Sequence, residues 1–138
     1  MNEIIKGKIE ELVLNSPDDI YKIDEICEEL DKNNYPKELL NDLLVILERN
    51  PHYNFGMPGN LVRTIEKHYK APDYINCIIK SIERVPTEYN LWILQRFMNA
   101  LETVEEKEFG VKIFRKILKE TKDTGIKEML EDFMTDYE

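Results

Sequence analysis

The sequence predicts an all-α protein of about eight helices, in a single domain spanning residues 1–138. Three observations carry that expectation. Apolar residues recur at three- and four-residue spacing through almost the whole chain. No segment alternates in the two-residue rhythm of a half-buried strand. The 6 prolines and 5 glycines gather mostly where the periodic stretches begin or end. With 42% of residues hydrophobic and 34% charged, there is enough apolar side chain for a core and too much for a disordered tail.

Each helix is justified by its stripe. Ile4, Ile5, Ile9, Leu12 and Val13 define the first, with Asn2 as cap and Gly7 as a slight weakness. Ser16-Pro17-Asp18-Asp19 reads as an N-cap, a proline at the first helical position and acids that suit the positive end of the helix dipole. Ile20, Ile23, Ile26, Cys27 and Leu30 then face inward, until Asn33-Asn34-Tyr35 stops the helix. Pro36 opens a third, with Leu39, Leu40, Leu43, Leu44 and Leu47 inward and Val45 and Ile46 widening the stripe. Residues 50–60 hold two prolines and two glycines and form the longest irregular connection. Leu61, Val62, Ile65 and Tyr69 mark a fourth helix, and Ala71-Pro72-Asp73 leads to a fifth with Ile75, Ile78, Ile79 and Ile82. After Val85-Pro86-Thr87 the sixth runs from Leu91 to Leu101, apolar around most of its circumference and so expected at the centre. Val104, Phe109, Ile113, Phe114, Ile117 and Leu118 mark the seventh, where Gly110 costs ~1 kcal/mol relative to alanine. Ile126, Met129, Leu130, Phe133, Met134 and Tyr137 mark the eighth.

Successive helix pairs open near residues 2, 36, 72 and 104, spacings of 34, 36 and 32. That period, with connections short enough to make neighbours antiparallel, suggests a small α-solenoid of HEAT-like helical hairpins, the alternative being a globular helical bundle.

Formal net charge is −9, unevenly spread: −7 in residues 1–50, +2 in 51–100 and −4 in 101–138. Such acidity argues against nucleic acid or an anionic membrane as direct partner and favours a basic macromolecule. No apolar run approaches the ~18 residues of a membrane span, and the first residues lack a secretory pattern, so a soluble cytoplasmic protein is expected. Cys27 and Cys77 fall among apolar residues and are expected as buried free thiols.

On a helical wheel the second helix leaves Asp18, Tyr21, Glu25 and Glu28 opposite its buried stripe, with Glu29 flanking. An outward tyrosine among carboxylates is the composition of a surface that recognises a basic partner, the ring supplying area and the acids steering. The plainer alternative is a solvated face with Tyr21 folded over a neighbouring helix.

For an enzyme the sequence offers little. His52 lies in the proline-rich connection and is expected to cap or pack there. His68, two residues after Glu66, borders the core and cannot form a local metal pair with it. No metal-ligand, phosphate-loop or nucleophile motif occurs, so neither enzyme activity nor a cofactor or metal is expected. Glu66 and Arg96 sit beside apolar neighbours and are expected to pair, sharing a polar network with Gln95 and Asn99. Trp92 reads first as core and second as a binding anchor.

Pro51-His52, Phe55-Gly56-Met57-Pro58-Gly59-Asn60-Leu61-Val62, Glu66 and Tyr69 resemble a pattern PH-x-x-FG-x-PG-x-LV-x-x-x-E. Ser81 to Thr87 with Arg84 and Pro86, then Trp92, Gln95, Arg96 and Asn99, resemble its continuation, S-x-x-R-x-PT…W-x-x-[NQ]-R-x-x-N. Together these blocks, residues 51–99, resemble small all-helical immunity proteins encoded beside bacterial polymorphic or contact-dependent growth inhibition toxins. Gln95 departs from an expected asparagine, and Asn60 from a common proline. The resemblance implies a cytosolic antidote that binds the carboxy-terminal domain of a sibling toxin, of a class in which many members are nucleases, and blocks it. A structural use is also open to the motif residues Phe55, Gly56, Pro58, Gly59, Glu66, Pro86, Thr87, Trp92, Arg96 and Asn99, which would preserve the scaffold while other surfaces choose the partner. The competing expectation is a helical-repeat adaptor that scaffolds some other complex.

Overall fold

The computed structural model describes residues 2–34, 37–56 and 59–135, with the backbone alone for Asn2. The cap at Asn2, the helix opening at Pro36, the turn role of Pro58 and the inward place of Tyr137 lie outside the described side chains.

The periodic stretches fold as eight α-helices and, among the described residues, no strand. They are α1 (Asn2–Glu10), α2 (Ile20–Lys32), α3 (Leu40–Arg49), α4 (Asn60–Glu66), α5 (Tyr74–Arg84), α6 (Glu88–Asn99), α7 (Val104–Glu120) and α8 (Thr124–Thr135). Short 3-10 turns, Pro17–Asp19 and Lys37–Leu39, lead into α2 and α3. Thr87 and Thr103 cap α6 and α7 by accepting the N–H groups of Asn90 and Glu106 at 3.1 Å each, and the Asn90 and Glu106 side chains accept the cap N–H groups in return.

Packing runs mostly between helices close in the chain. α1 packs on α2 and α3, α2 on α4, α3 on α4, α5 and α6, α4 and α5 on α6, and α6 on α7 and α8, which also pack on each other. The core collects Leu30, Leu43, Leu44, Leu47, Val62, Ile65, Ile78, Ile82, Leu91, Ile93, Leu94 and Phe114, all fully buried. Each such Leu or Ile stabilises the fold by about 1.5–3 kcal/mol relative to leaving it in water. α6 touches five other helices and occupies the centre expected of it.

Four apolar residues leave the stripes assigned to them. Ile4, Val13, Tyr69 and Val104 are 63%, 52%, 54% and 73% exposed. α1 buries Ile5 and Ile9 on one side, which turns Ile4 away, and it ends at Glu10, so Val13 is no longer in helical phase. α4 ends at Glu66, three residues before Tyr69, and Val104 opens α7 where no neighbouring helix covers it. Cys27 is buried, but Cys77 is only half-buried; both are free, and burial pushes both thiols up.

The connection between α3 and α4 is tied down by aromatic side chains. Tyr53 donates its hydroxyl to the Ser16 carbonyl at 2.8 Å, and buried Phe55 donates its N–H to the Tyr89 hydroxyl at 2.9 Å. The Phe55 ring lies 5.1 Å from Tyr53 and 5.2 Å from Tyr89, tilted and edge-on. Gly56 sits at φ 89°, a conformation that favours glycine. Gly59 has an ordinary φ of −97°; its constraint is close approach, since a Cβ there would meet the Phe55 carbonyl oxygen at 1.7 Å.

Candidate partner-binding face

Asp19 organises the approach to α2. Its carboxylate accepts the N–H groups of Asn15 at 2.7 Å and Ser16 at 3.1 Å, with Lys22 3.5 Å away, and these contacts hold it below the usual carboxylate range. The resulting tight turn carries Asp18, so that residue precedes the helix instead of sitting on it. Tyr21, Glu25 and Glu28 follow at i, i+4 and i+7, opposite buried Ile23, Ile26, Cys27 and Leu30. Asp18, Tyr21, Glu25 and Glu28 are all exposed, Tyr21 by 53%. No cation lies within ion-pairing distance of Asp18, Glu25 or Glu28 among the described residues.

The flanking acids differ. Glu29 is half-buried and pairs with Lys8 across α1 and α2; Asp31 pairs with Lys67 at 2.5 Å; Asp24 accepts from Asn60 at 2.7 Å. Glu29 therefore holds two helices together and adds little uncompensated charge. An open groove of about 480 Å³ runs beside Glu25, floored by Leu12 and Ile26 and rimmed by Glu11 and Glu25. Its two cations are engaged elsewhere, Lys8 with Glu29 and Lys22 with Asp19 and the Val13 carbonyl.

The motif residues of the central third form two polar clusters. In the first, Glu48, with a side chain 7% exposed, accepts two bonds from Arg84 at 2.8 Å each and one from Ser81 at 2.8 Å. Buried Asn90 donates to Ser81 at 3.1 Å and to the Val85 carbonyl at 2.9 Å, and accepts the Thr87 N–H at 2.8 Å. Removing Asn90 would leave the buried Thr87 N–H without its acceptor, at about 1–3 kcal/mol. Pro86, half-buried, lines a cleft of about 260 Å³ against the end of α7.

In the second cluster, Arg96 donates through Nε to Glu66 at 2.7 Å, the expected pair, and its guanidinium lies 4.9 Å from the Trp92 ring centroid. Trp92 is half-buried against the core, not enclosed by it. Glu66, Arg96 and Asn99 line an open depression of about 520 Å³ with Tyr69, Tyr74 and Phe97. Tyr74 is 2% exposed, and burial pushes its hydroxyl well above the usual tyrosine range, with Glu66 reinforcing and Arg96 opposing. His52 is exposed in its loop, and His68 is half-buried.

Sequence reasoning missed Glu48, Asn90 and Tyr74. Glu48 and Asn90 are polar residues inside or beside apolar stretches, whose partners come from other helices. Tyr74, next to Asp73, gives a helix-opening signal that hides its burial.

Among the described residues no group of three or more His, Cys, Asp or Glu is arranged to hold a metal ion, and no helix is long and apolar enough to cross a membrane. No protein-family model, no curated protein and no solved structure matches the chain.

Proposed function

We propose that this chain is a non-enzymatic immunity protein, a cytoplasmic HEAT-like α-solenoid that binds the carboxy-terminal domain of a cognate toxin and occludes its active or substrate-binding surface. The observation that carries the reading is the exposed row Asp18, Tyr21, Glu25 and Glu28, whose carboxylates have no cationic partner among the described residues. A nuclease must carry basic residues to hold phosphate, and uncompensated carboxylates around an aromatic ring can occupy that surface in place of phosphate. The resemblance of residues 51–99 to immunity proteins supports the same reading. The solenoid is supported by the packing of helices on next-but-one neighbours, α1 on α3 on α5 and α2 on α4 on α6 on α8. This function needs no cofactor and no direct contact with nucleic acid or membrane.

The motif residues then serve the scaffold. Phe55, Gly56 and Gly59 shape the central loop, Thr87 caps α6 within the Glu48 cluster, and Arg96 joins Glu66 to Trp92. The partner is chosen by the acidic exterior.

The test uses the toxin domain encoded in the adjacent reading frame. Stopped-flow association with the E25K/E28K double variant is expected to be at least about tenfold slower at low salt, with a flatter salt dependence, because like charges now oppose encounter. An unchanged rate removes this face from the mechanism. Tight binding that leaves cells unprotected identifies an adaptor in place of an antidote.

A further inference from the structure

We propose that the exposed cationic face of α7 docks the acidic row on α2 of a second copy of this chain. The inference goes beyond the toxin reading: it needs no toxin, and its failure leaves that reading intact.

The first observation is a run of uncompensated positive charge on an acidic protein. Residues 109–119 carry four cations and no acid. Lys112, Arg115, Lys116 and Lys119 recur at i, i+3, i+4 and i+7, opposite buried Val111, Phe114 and Ile117, and all four are exposed. Among the described residues no carboxylate lies within ion-pairing distance of any of them. Glu83 and Glu120 share a cleft with Lys116 and temper that one cation, but Lys112, Arg115 and Lys119 do not line it.

The second observation is that the free chain gains nothing from this arrangement. Residues three and four apart on a helix are neighbours, and every such pair within the four is like-charged, which costs stability. The negative end of the helix dipole compensates Lys119 in the last turn, but its effect falls off before Lys112 and Arg115. A face that repels itself is relieved when an anionic surface covers it.

The third is that the chain itself carries a matching anionic surface. Tyr21, Glu25 and Glu28 occupy i, i+4 and i+7 on α2, with Asp18 just before it, and these acids also have no cationic partner among the described residues. Each row is about 10 Å long at the rise of an α-helix. Exposed Tyr21 offers its ring face to a guanidinium such as that of Arg115. Within one copy α2 packs mainly on α1 and α4, and α7 on α6 and α8, so the two rows leave each other unpaired. A copy docked on α2 covers the acids that a toxin is proposed to meet, so the two occupants exclude one another; that consequence alone rests on the toxin reading.

Magnitudes set the strength of the contact. Two helix faces bury less than the roughly 1,000 Å² of a lasting interface, so the contact is transient, with a Kd on the order of 0.1 mM. The net charge of −9 opposes any meeting of copies. At 0.15 M salt, however, charges more than about 8 Å apart are largely screened, so touching rows attract while the rest of the surface is felt weakly.

The experiment follows the full-length, isotope-labelled protein by sedimentation velocity and NMR from about 0.02 to about 1 mM at about 0.15 M salt. The mean mass is expected to rise with concentration, with shifts at Tyr21, Glu25, Glu28, Lys112, Arg115 and Lys119. Association is expected to weaken at least about fivefold at 1 M salt, where the screening length is about 3 Å. The E25K/E28K and K112E/K119E variants, each altered only at exposed positions, are expected to stay monomeric alone. Mixed, they are expected to associate at least about fivefold more tightly than wild type, because one is cationic on both faces and the other anionic on both. Each reversal changes the charge by two, so the variants carry −5 and −13, and only the local rows can draw them together. A wild-type chain that stays monomeric, variants that ignore each other on mixing, shifts confined to other surfaces, or association strengthened by 1 M salt each overturns the proposal. So does a monomer whose α7 cations shift only when hexaglutamate or oligouridylate is added, since the face then has a different occupant.

Discussion

Asp19 shows how one side chain sets the geometry of a whole face. It joins the Asn15 and Ser16 N–H groups and so decides where the turn ends and α2 begins. Its folded pKa is lowered from the ordinary 3.8, so its contribution to stability is present above the unfolded value and is lost as pH falls through the folded one. The melting temperature of Asp19→Asn is expected to lie below wild type at pH 7, and the gap is expected to close below about pH 4. A gap unchanged down to pH 2 would show that the carboxylate charge plays no part. Residue-scale reading succeeded where a side chain acts on its own neighbours, as at Ser16 to Asp19 and at Pro86-Thr87. It was blind to Glu48, whose partners Ser81 and Arg84 are 33 and 36 residues away. Next to Arg49 near the end of α3, Glu48 looks in sequence like any solvated glutamate.

At the scale of the element, the stripes located every helix, because burial against a neighbour and a period of 3.6 leave the same trace in any chain. Their ends were misjudged where an apolar residue lies just past a helix, as with Val13 and Tyr69, since hydrophobicity does not report whether a partner helix reaches that far. Gly110 is the instructive case. Within a 17-residue helix it looks like a defect of propensity, yet a Cβ there would meet the Met98 Sδ at 2.1 Å, and Met98 is fully buried. The glycine lets α7 approach α6. Gly110→Ala is therefore expected to lower stability by about 1–3 kcal/mol in denaturant unfolding, overpacking outweighing the ~1 kcal/mol gain in helix propensity. A more stable variant would show that Met98 can move aside.

Across the whole molecule, charge is the dominant asymmetry. Five ion pairs occur among the described residues, and in four of them the basic partner is at least 40% exposed. Pairs with that much exposure contribute little. The surplus of acids in residues 1–50 repels itself over longer distances, and salt shortens the screening length from about 30 Å at 0.01 M to about 8 Å at 0.15 M. The melting temperature is therefore expected to rise by a few degrees over that range at pH 7, more so for wild type than for a variant with Glu25 and Glu28 made neutral. A fall would mean that the ion pairs outweigh the repulsion. The all-helical class and the acidic exterior were legible because both are sums over many residues. The candidate face was legible as a pattern on one helix, whereas the hollow around Tyr74 was not, because it exists only where three helix ends meet.

The loop between α3 and α4 has a consequence for the order in which the protein is made. Phe55 waits for the hydroxyl of Tyr89, 34 residues later, while Tyr53 reaches back to Ser16, 37 residues earlier. During synthesis the backward clasp can close as soon as the loop leaves the ribosome, but the forward one cannot until α6 has emerged. The nascent chain thus carries a half-fastened elbow for that interval, with the Phe55 ring uncovered and within reach of any chaperone that reads aromatic side chains.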